Sequence, residues 1–393
     1  MTEKLFWIDP YQKEFSANVL GQFPVNDGHA VILDRTCFYA TSGGQPNDLG
    51  ILNLQPVKDV RFENDSILHI VSTPLEAIAA QGMIDWSRRF DHMQQHTGQH
   101  ILSAAFFRLF HAETSSFHLG EEYCSIELNR PNLSREDARK AEDLANSVIF
   151  GAQPIQSFFV DPQKAADYPL RKQSDLQESL RIVQIADFDL SPCSGTHVRN
   201  SGEVGIVFIT GIEKLSQTLK VSFLCGNRVA KQYHVDLEIV KTLSKSMTTS
   251  VELLPESIQK LQDQVKELRK ELSQLKEERW KEEADHLYEN AEDWNGLQKI
   301  LGIWKRPYSE VRFLAQRLSE KPFAAGMLVS IPERRAAFFK NPQVAYDLRP
   351  IFQNFLKSHS AKGGGPPQFM EAGAFEIGPD FEAQMKSLWD QQR

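Results

Sequence analysis

The spacing of hydrophobic positions changes character along the chain. Over residues 1–90, short apolar runs at Ala17–Leu20, His29–Asp34, Gly50–Leu54 and Ser66–Val71 alternate with turn residues, which predicts an N-terminal small antiparallel β-barrel. The loop Thr36–Gly50 between two of these strands carries Gly43 and Gly44. They either let the backbone approach a partner closely or simply supply a turn. Residues 91–232 read as a mixed α+β region. Ile101, Ala105 and Leu109, with Leu102 and Phe106 beside them, recur at helical intervals. Ser134 and Asp137 form a capping box for a helix through Phe150, and Val204–Thr210 reads as a strand, with Glu203–Ile209 and Leu219–Leu224 as a strand pair. Over 233–295 the period becomes that of a heptad: Ile258, Leu261, Val265, Leu268, Leu272 and Leu275 form a seam among Glu, Lys, Arg and Gln. A helical stem follows, packed in an intramolecular hairpin with 234–248 or at a dimer interface. The last region, 296–393, alternates helix-like and strand-like segments, including Gly326–Ser330 and Ala336–Phe339, as a C-terminal α/β domain. There Lys362, Gly363, Gly364 and Gly365 precede an expected helix, where backbone N–H groups could meet a phosphate. The fold class expected for the whole is α+β.

At 393 residues the chain is long enough for two to four domains. It contains no run of eighteen apolar residues and its first residues lack the apolar stretch of a signal peptide, so a cytoplasmic protein with no membrane segment is expected. Four sparse cysteines, Cys37, Cys124, Cys193 and Cys225, suit a reducing compartment better than a disulfide framework. The net charge of −8 argues against a chain that coats nucleic acid everywhere. Charge is uneven, however: residues 301–362 hold eleven Lys and Arg against four Asp and Glu, a local +7 that suits phosphate contact or an ordinary solvated surface.

Two short segments change the picture most. His96 and His100 lie four apart in the helix-like stretch, so both imidazoles share one face. Cys193 and His197 repeat the spacing in a Pro- and Gly-punctuated loop. Three imidazoles and one thiolate are a donor set that zinc prefers, and two distant bidentate segments make a tetrahedral cage, so one Zn2+ per chain is expected at His96, His100, Cys193 and His197. His92 is rotated by about 80 degrees from His100 and is expected beside the site or at the surface. No Glu lies inside the HxxxH, which disfavours a zinc peptidase. Four protein ligands ordinarily close a zinc site, whereas catalysis wants an open position. Either a ligand leaves, the coordination expands, or the water is held beside the metal.

His96-Thr-Gly-Gln-His100 and Cys193-Ser-Gly-Thr-His197, preceded by Ser42-Gly-Gly-Gln45 and followed by the stem and Lys362-Gly-Gly-Gly365, resemble the freestanding alanyl-tRNA editing proteins of the long form. That family is similar to the second half of alanyl-tRNA synthetase. The resemblance covers nearly the whole chain and implies a zinc-dependent hydrolase that deacylates Ser-tRNA(Ala), and Gly-tRNA(Ala) in addition, with His96, His100 and Cys193 in catalysis. It implies a pocket wall around Thr114, Ser116 and His118, which share a face if extended. The mischarged tRNA(Ala) is the implied partner, gripped by the C-terminal domain, with Gly43, Gly44, Lys362, Gly363, Gly364 and Gly365 as tRNA-binding positions. A homodimer through the stem or C-terminal domain is the second expected assembly. The alternatives are a noncatalytic tRNA-binding module with a structural zinc, or editing of another mischarged tRNA such as Ser-tRNA(Thr), because a related domain occurs in threonyl-tRNA synthetase.

Overall fold

A computed structural model describes residues 2–161, 164, 167–171, 180–294 and 296–390. The chain divides into two compact units, Met1–Leu243 and Ser244–Arg393.

The first unit opens with a nearly closed sheet of seven antiparallel strands. Four contain the expected runs: Glu14–Val25, Gly28–Leu33, Gly50–Leu52 and Ser66–Val71. Gln55–Val57, Asp59–Glu63 and Ala79–Ile84 complete it. Alternation along Ala79–Ile84 puts Ala80 and Ile84 inside with Phe15, Val31, Leu33 and Phe38, which is why a sheet of short strands can curl around one apolar core. Ahead of it, the short helix Leu5–Ile8 buries Leu5 and Phe6 in that core.

Asp85 caps the long helix Trp86–Phe110 by accepting from the N–H groups of Ser87 and Arg88. The helix contains the expected stretch with His96 and His100 and extends about three turns ahead of it. Nearly all its middle is buried, polar residues included, so it is the axis of the unit rather than a half-solvated surface helix. Gly98 permits this: a Cβ there would come within 2.2 Å of Cys225 Sγ. Around the helix stand a four-stranded antiparallel sheet, Thr114–Leu119, Cys124–Leu128, Leu219–Cys225 and Val207–Lys214, and a three-stranded one, Ile155–Val160, Leu180–Ile185 and Asp189–Pro192. The capping box of helix Arg135–Phe150 has both reciprocal bonds, Asp137 N–H to Ser134 Oγ (3.1 Å) and Ser134 N–H to Asp137 (2.9 Å). The strand expected over Val204–Thr210 is corrected at its start. Ser201–Val204 is a 3-10 turn and Gly205 has φ 82°, so the ladder with Leu219–Cys225 begins only at Val207. Helix Asn227–Met247 follows.

In the second unit, helix Leu254–Glu289 carries the heptad seam, and every seam residue from Ile258 to Leu275 is exposed. Its C-terminal end is seated by Ala284, which is packed with Tyr308, Val311, Leu314 and Ala315. A six-stranded mixed sheet forms the body, in the order Glu292–Trp294, Leu297–Trp304, Ala324–Ser330, Arg335–Lys340, Phe369–Gly373, Lys362–Gly364. Its one parallel pair, Leu297–Trp304 with Ala324–Ser330, is joined through helix Tyr308–Ser319. Helices Arg349–Ser358 and Phe381–Asp390 share a separate core cluster with Met327, Phe338 and Met370. The helix expected after the glycine run is a correction: Lys362–Gly364 is an edge strand paired antiparallel with Phe369–Gly373. Pro366 and Pro367 fall in the connection, and a Cβ on Gly363 would lie 2.1 Å from the Glu371 carbonyl, so glycine permits the tight approach of a hairpin.

Among the described residues, no helix is long and apolar enough to cross a membrane.

Candidate metal centre and adjoining cavity

The helix and the Cys193–His197 loop place one donor atom each from His96, His100, Cys193 and His197 within 4.8 Å of one another. Three of these side chains are buried and Cys193 is partly so. His96 Nε2 is 3.4 Å and His197 Nε2 3.2 Å from Cys193 Sγ. Nitrogen and sulfur atoms that share a tetrahedral zinc are separated by about 3.6 Å, from bond lengths of about 2.0 and 2.3 Å, so the donors are already near the spacing such an ion requires.

Each histidine is oriented through its other ring nitrogen. His96 Nδ1 is 2.8 Å from Gln45 Oε1. Gln45 Oε1 also accepts the Thr196 N–H (3.0 Å), while Gln45 Nε2 donates to Thr196 Oγ1 (2.8 Å). The backbone N–H can only donate, so the atom facing His96 is the amide oxygen, His96 Nδ1 bears the proton, and Nε2 is left with a lone pair. His100 Nδ1 lies 3.2 Å from Asp189 Oδ2, and Asp189 is held in turn by Arg171 Nε (2.7 Å) and Ser191 Oγ (3.0 Å). His197 Nδ1 is 3.2 Å from Thr97 Oγ1, which also accepts the Val198 N–H (3.3 Å). Imidazoles whose Nδ1 atoms are all engaged, with Nε2 turned toward a sulfur, are the donor arrangement of a metal site. The residues therefore fit a thiophilic divalent ion.

Electrostatics agree with the geometry. Burial alone would raise the Cys193 thiol, but His96, His197 and His100 outweigh it and hold the group well below its ordinary value. Burial opposes the charge on His100, yet the Cys193 sulfur and the Asp189 carboxylate lift it to about 9. Burial depresses His197 to about 3, only partly countered by Cys193. Asp189 would be raised by burial, but its bonds to His100 and Arg171 keep it at about 2.

A cavity of about 340 Å³ opens on the cluster, lined by His96, Gln99, His100, Cys193 and the segment Thr114–Phe117, with Gly43 and Arg171 among its other walls. A register shift between Thr114 and Ser116 interrupts the ladder with Cys124–Leu128, and atoms of Thr114, Ser115, Ser116 and Phe117 line the cavity. Thr114 Oγ1 donates to Ser103 Oγ (2.8 Å), which also accepts from Gln99 Nε2 (2.9 Å). His118 is not among the lining residues; its ring lies beside Gly120, 3.1 Å from where a Cβ there would stand. Gly43 lines the cavity at φ 55°, and Gly44 lies against Phe117, where a Cβ would come within 2.9 Å of the Phe117 carbonyl. This loop is anchored by Asp48, which accepts the Tyr39 N–H (2.7 Å) and forms a fully buried ion pair with Arg89 of the long helix. Lys362, Gly363 and Gly364 lie in the other unit, on the exposed edge strand, with Gly365 just beyond it at φ 143°. His92 is buried, and its Nδ1 has no partner among the described residues.

Gln45, Thr97, Asp189 and Arg171 are functional neighbours that sequence reasoning does not single out. Gln45 and Thr97 stand inside the quoted motifs, and that position is a signal for them. Asp189 and Arg171 carry no such mark, because Asp189 meets His100 across 89 positions of chain and Arg171 reaches the site only through Asp189, 18 positions away.

Comparison with known proteins gives a consistent result. Residues 180–222 match the family described as the threonyl and alanyl tRNA synthetase second additional domain, and residues 11–86 match tRNA synthetases class II (A). The chain is 27% identical to the alanyl-tRNA editing protein AlaX-L of Pyrococcus horikoshii, over 99% of its own length and 98% of that protein's. It is 31% identical to an alanine–tRNA ligase of Pyrococcus abyssi over 65% of this chain, but spans 29% of that enzyme. Identity to the alanyl-tRNA editing protein Aarsd1 of Rattus norvegicus is 33%, over 57% of this chain and 58% of that protein.

Proposed function

This chain belongs by sequence with the alanyl-tRNA editing proteins, and we propose that it hydrolyses the ester of tRNA(Ala) mischarged with serine, and with glycine in addition, acting in trans in the cytoplasm. The observation that carries the reading is that His96, His100 and Cys193 are themselves walls of the cavity that the hydroxyl-bearing segment Thr114–Ser116 also lines. A purely architectural cluster would have no need to face a polar cavity of ligand size.

His96, His100, Cys193 and His197 would hold one zinc ion, which in such a site supplies Lewis-acid stabilisation of developing negative charge and lowers the pKa of water. The residues of the chain do the positioning. Gln45, Asp189 and Thr97 keep the three imidazoles in a single tautomer and orientation. The Arg171 guanidinium at the cavity wall, tied to Asp189, places positive charge where the ester and the phosphates of the acceptor end enter.

Selectivity against alanine follows from polar matching. Thr114, already bonded to Ser103, and Ser116 present hydroxyl oxygens to the side chain of the esterified amino acid, and a seryl hydroxyl can pair with them where an alanyl methyl cannot. His118 lies outside the lining and takes no part in this contact. The four-donor count favours a second reading, in which the zinc only holds the loop to the helix and the protein binds tRNA without cleaving it.

We assign the grip on the tRNA body to the second unit. Most basic residues of its 301–362 stretch are engaged: Arg306 with Glu283, Arg312 and Arg335 with Glu371, Arg317 with Glu320, Lys321 with Asp285 and Arg349 with Asp347. Within that stretch Lys305, Arg334, Lys357 and Lys362 have no carboxylate partner among the described residues, and we assign them, with the glycine strand, as phosphate contacts. Incubation of the purified protein with Ser-, Gly- and Ala-tRNA(Ala) tests the proposal. Rapid release of serine with Ala-tRNA(Ala) spared supports it; binding of all three without hydrolysis establishes the second reading.

A further inference from the structure

The histidines of the cluster can be oriented through a second ring nitrogen, but a cysteine has no second polar atom, so its sulfur can be aimed only through the backbone. The turn that carries Cys193 is held in that way. Its three consecutive carbonyls are taken by two side chains from elsewhere: Arg181 Nη1 donates to the carbonyls of Cys193 and Gly195, both at 2.9 Å, and Trp7 Nε1 donates to the Ser194 carbonyl at 2.8 Å. The Cys193 N–H closes the arrangement on the Arg181 carbonyl (3.0 Å). In a trans peptide the C=O and N–H point in opposite directions. Drawing the Ser194 carbonyl onto Trp7 therefore turns the Gly195 N–H the other way, where it meets Cys193 Sγ at 3.4 Å. Gly195 itself must lack a side chain, since a Cβ would stand 2.2 Å from His96 Cε1.

Arg181 is an unusual residue to use for holding carbonyls. It is 6% exposed, forms no ion pair with a carboxylate among the described residues, and its Nε has no partner there. A buried cation without an anion is costly unless something nearby carries the opposite charge, and the carbonyls it holds flank the cysteine.

We propose that Arg181, seconded by Trp7, is a positioning residue for the Cys193 metal donor: the two side chains lock the Cys193–Ser194–Gly195 turn by its carbonyls, and the guanidinium compensates the negative sulfur. This rests on the metal reading of the cluster. The test uses the full chain as wild type, Arg181→Met, Arg181→Lys and Trp7→Phe, the last keeping the aromatic ring without its donor. Zinc affinity is measured by competition with a chromophoric chelator, and the sulfur-to-cobalt charge-transfer band of the Co2+-substituted protein reports on the thiolate bond.

Arg181→Met is expected to weaken zinc by about 10- to 100-fold and to shift or weaken the cobalt band. Arg181→Lys should recover most of both, and Trp7→Phe should weaken zinc a few fold. An Arg181→Met protein with wild-type affinity and an unchanged band overturns the proposal. If that variant does not fold, unchanged affinity and spectrum in Trp7→Phe overturn it equally. A wild-type chain that takes up neither metal is a different failure: it removes the metal reading, and this proposal with it.

Discussion

The metal centre and the long helix of the second unit invert the usual distribution of residues in opposite ways. At the centre, polar side chains are inside: His96, His100 and His197 are 3, 4 and 5% exposed, with Gln45, Thr97 and Thr196 fully buried. Along Leu254–Glu289, apolar side chains are outside, with Leu268 and Leu275 at 62 and 63%. Each inversion costs stability in the isolated chain, and each has a different remedy. Buried polar atoms can be satisfied from within, and here they pair with one another until four donor atoms remain pointing at one place. Exposed leucines have nothing to pair with locally, so a seam of them at heptad spacing is relieved only by another surface. The first region gathers four donor atoms about one point; the second leaves an apolar seam in solvent.

The largest effect expected from breaking the contrast is chemical. Cys193→Ala or His100→Ala should abolish stoichiometric zinc, as measured by metal analysis of purified protein, and reduce Ser-tRNA(Ala) hydrolysis on the order of 10²- to 10³-fold. Retention of near wild-type rates without zinc would show that the ion is not part of the reaction. Next comes the orienting layer. Asp189→Asn keeps the shape but removes the charge that His100 and Arg171 share, and about a 10- to 100-fold loss of zinc affinity is expected in a chelator titration.

The helix should respond differently. Leu268→Lys with Leu272→Glu should change the unfolding free energy of the chain by no more than about 0.5 kcal/mol per site, since neither residue is buried. We expect the same pair to convert a dimer to a monomer in sedimentation velocity; a wild-type chain that is monomeric at tens of micromolar would rule out a second copy as the covering surface. The smallest effect concerns the phosphate contacts. Each of Lys305, Arg334, Lys357 and Lys362 changed to Gln should lower the slope of log K against log salt for tRNA by up to about 1, with no change in zinc content. Slopes that stay at the wild-type value would place the tRNA grip elsewhere.

Much of this molecule is legible in its residues because the relevant signals are local. An i, i+4 pair on a helix needs only a helix to share a face, so the spacing of His96 and His100 is enough to pair them. The capping box at Ser134 and Asp137, the seven-residue period of the stem and the turn-bounded runs of the first sheet are short-range in the same sense. Where the local pattern is ambiguous, the surroundings decide. Val204 reads as strand, but the 3-10 turn and Gly205 remove it from the ladder, and the triple glycine reads as an anion loop although pairing with Phe369–Gly373 makes it a strand.

Residue types and neighbours a few positions away suffice to mark the four potential donor side chains and the division between polar cluster, apolar seam and mixed sheet. Only the tertiary structure decided which atoms aim the donors: Gln45 for His96, Asp189 for His100, Thr97 for His197, and Arg181 with Trp7 for the cysteine turn. It also decided that the cavity is lined along Thr114–Phe117, where a bulge interrupts the ladder, and not by His118. The reason is geometric. A hydrogen bond is specified to a few tenths of an ångström between residues that can be 187 positions apart, as Trp7 and Ser194 are, and no periodicity along a chain encodes a coincidence of that kind.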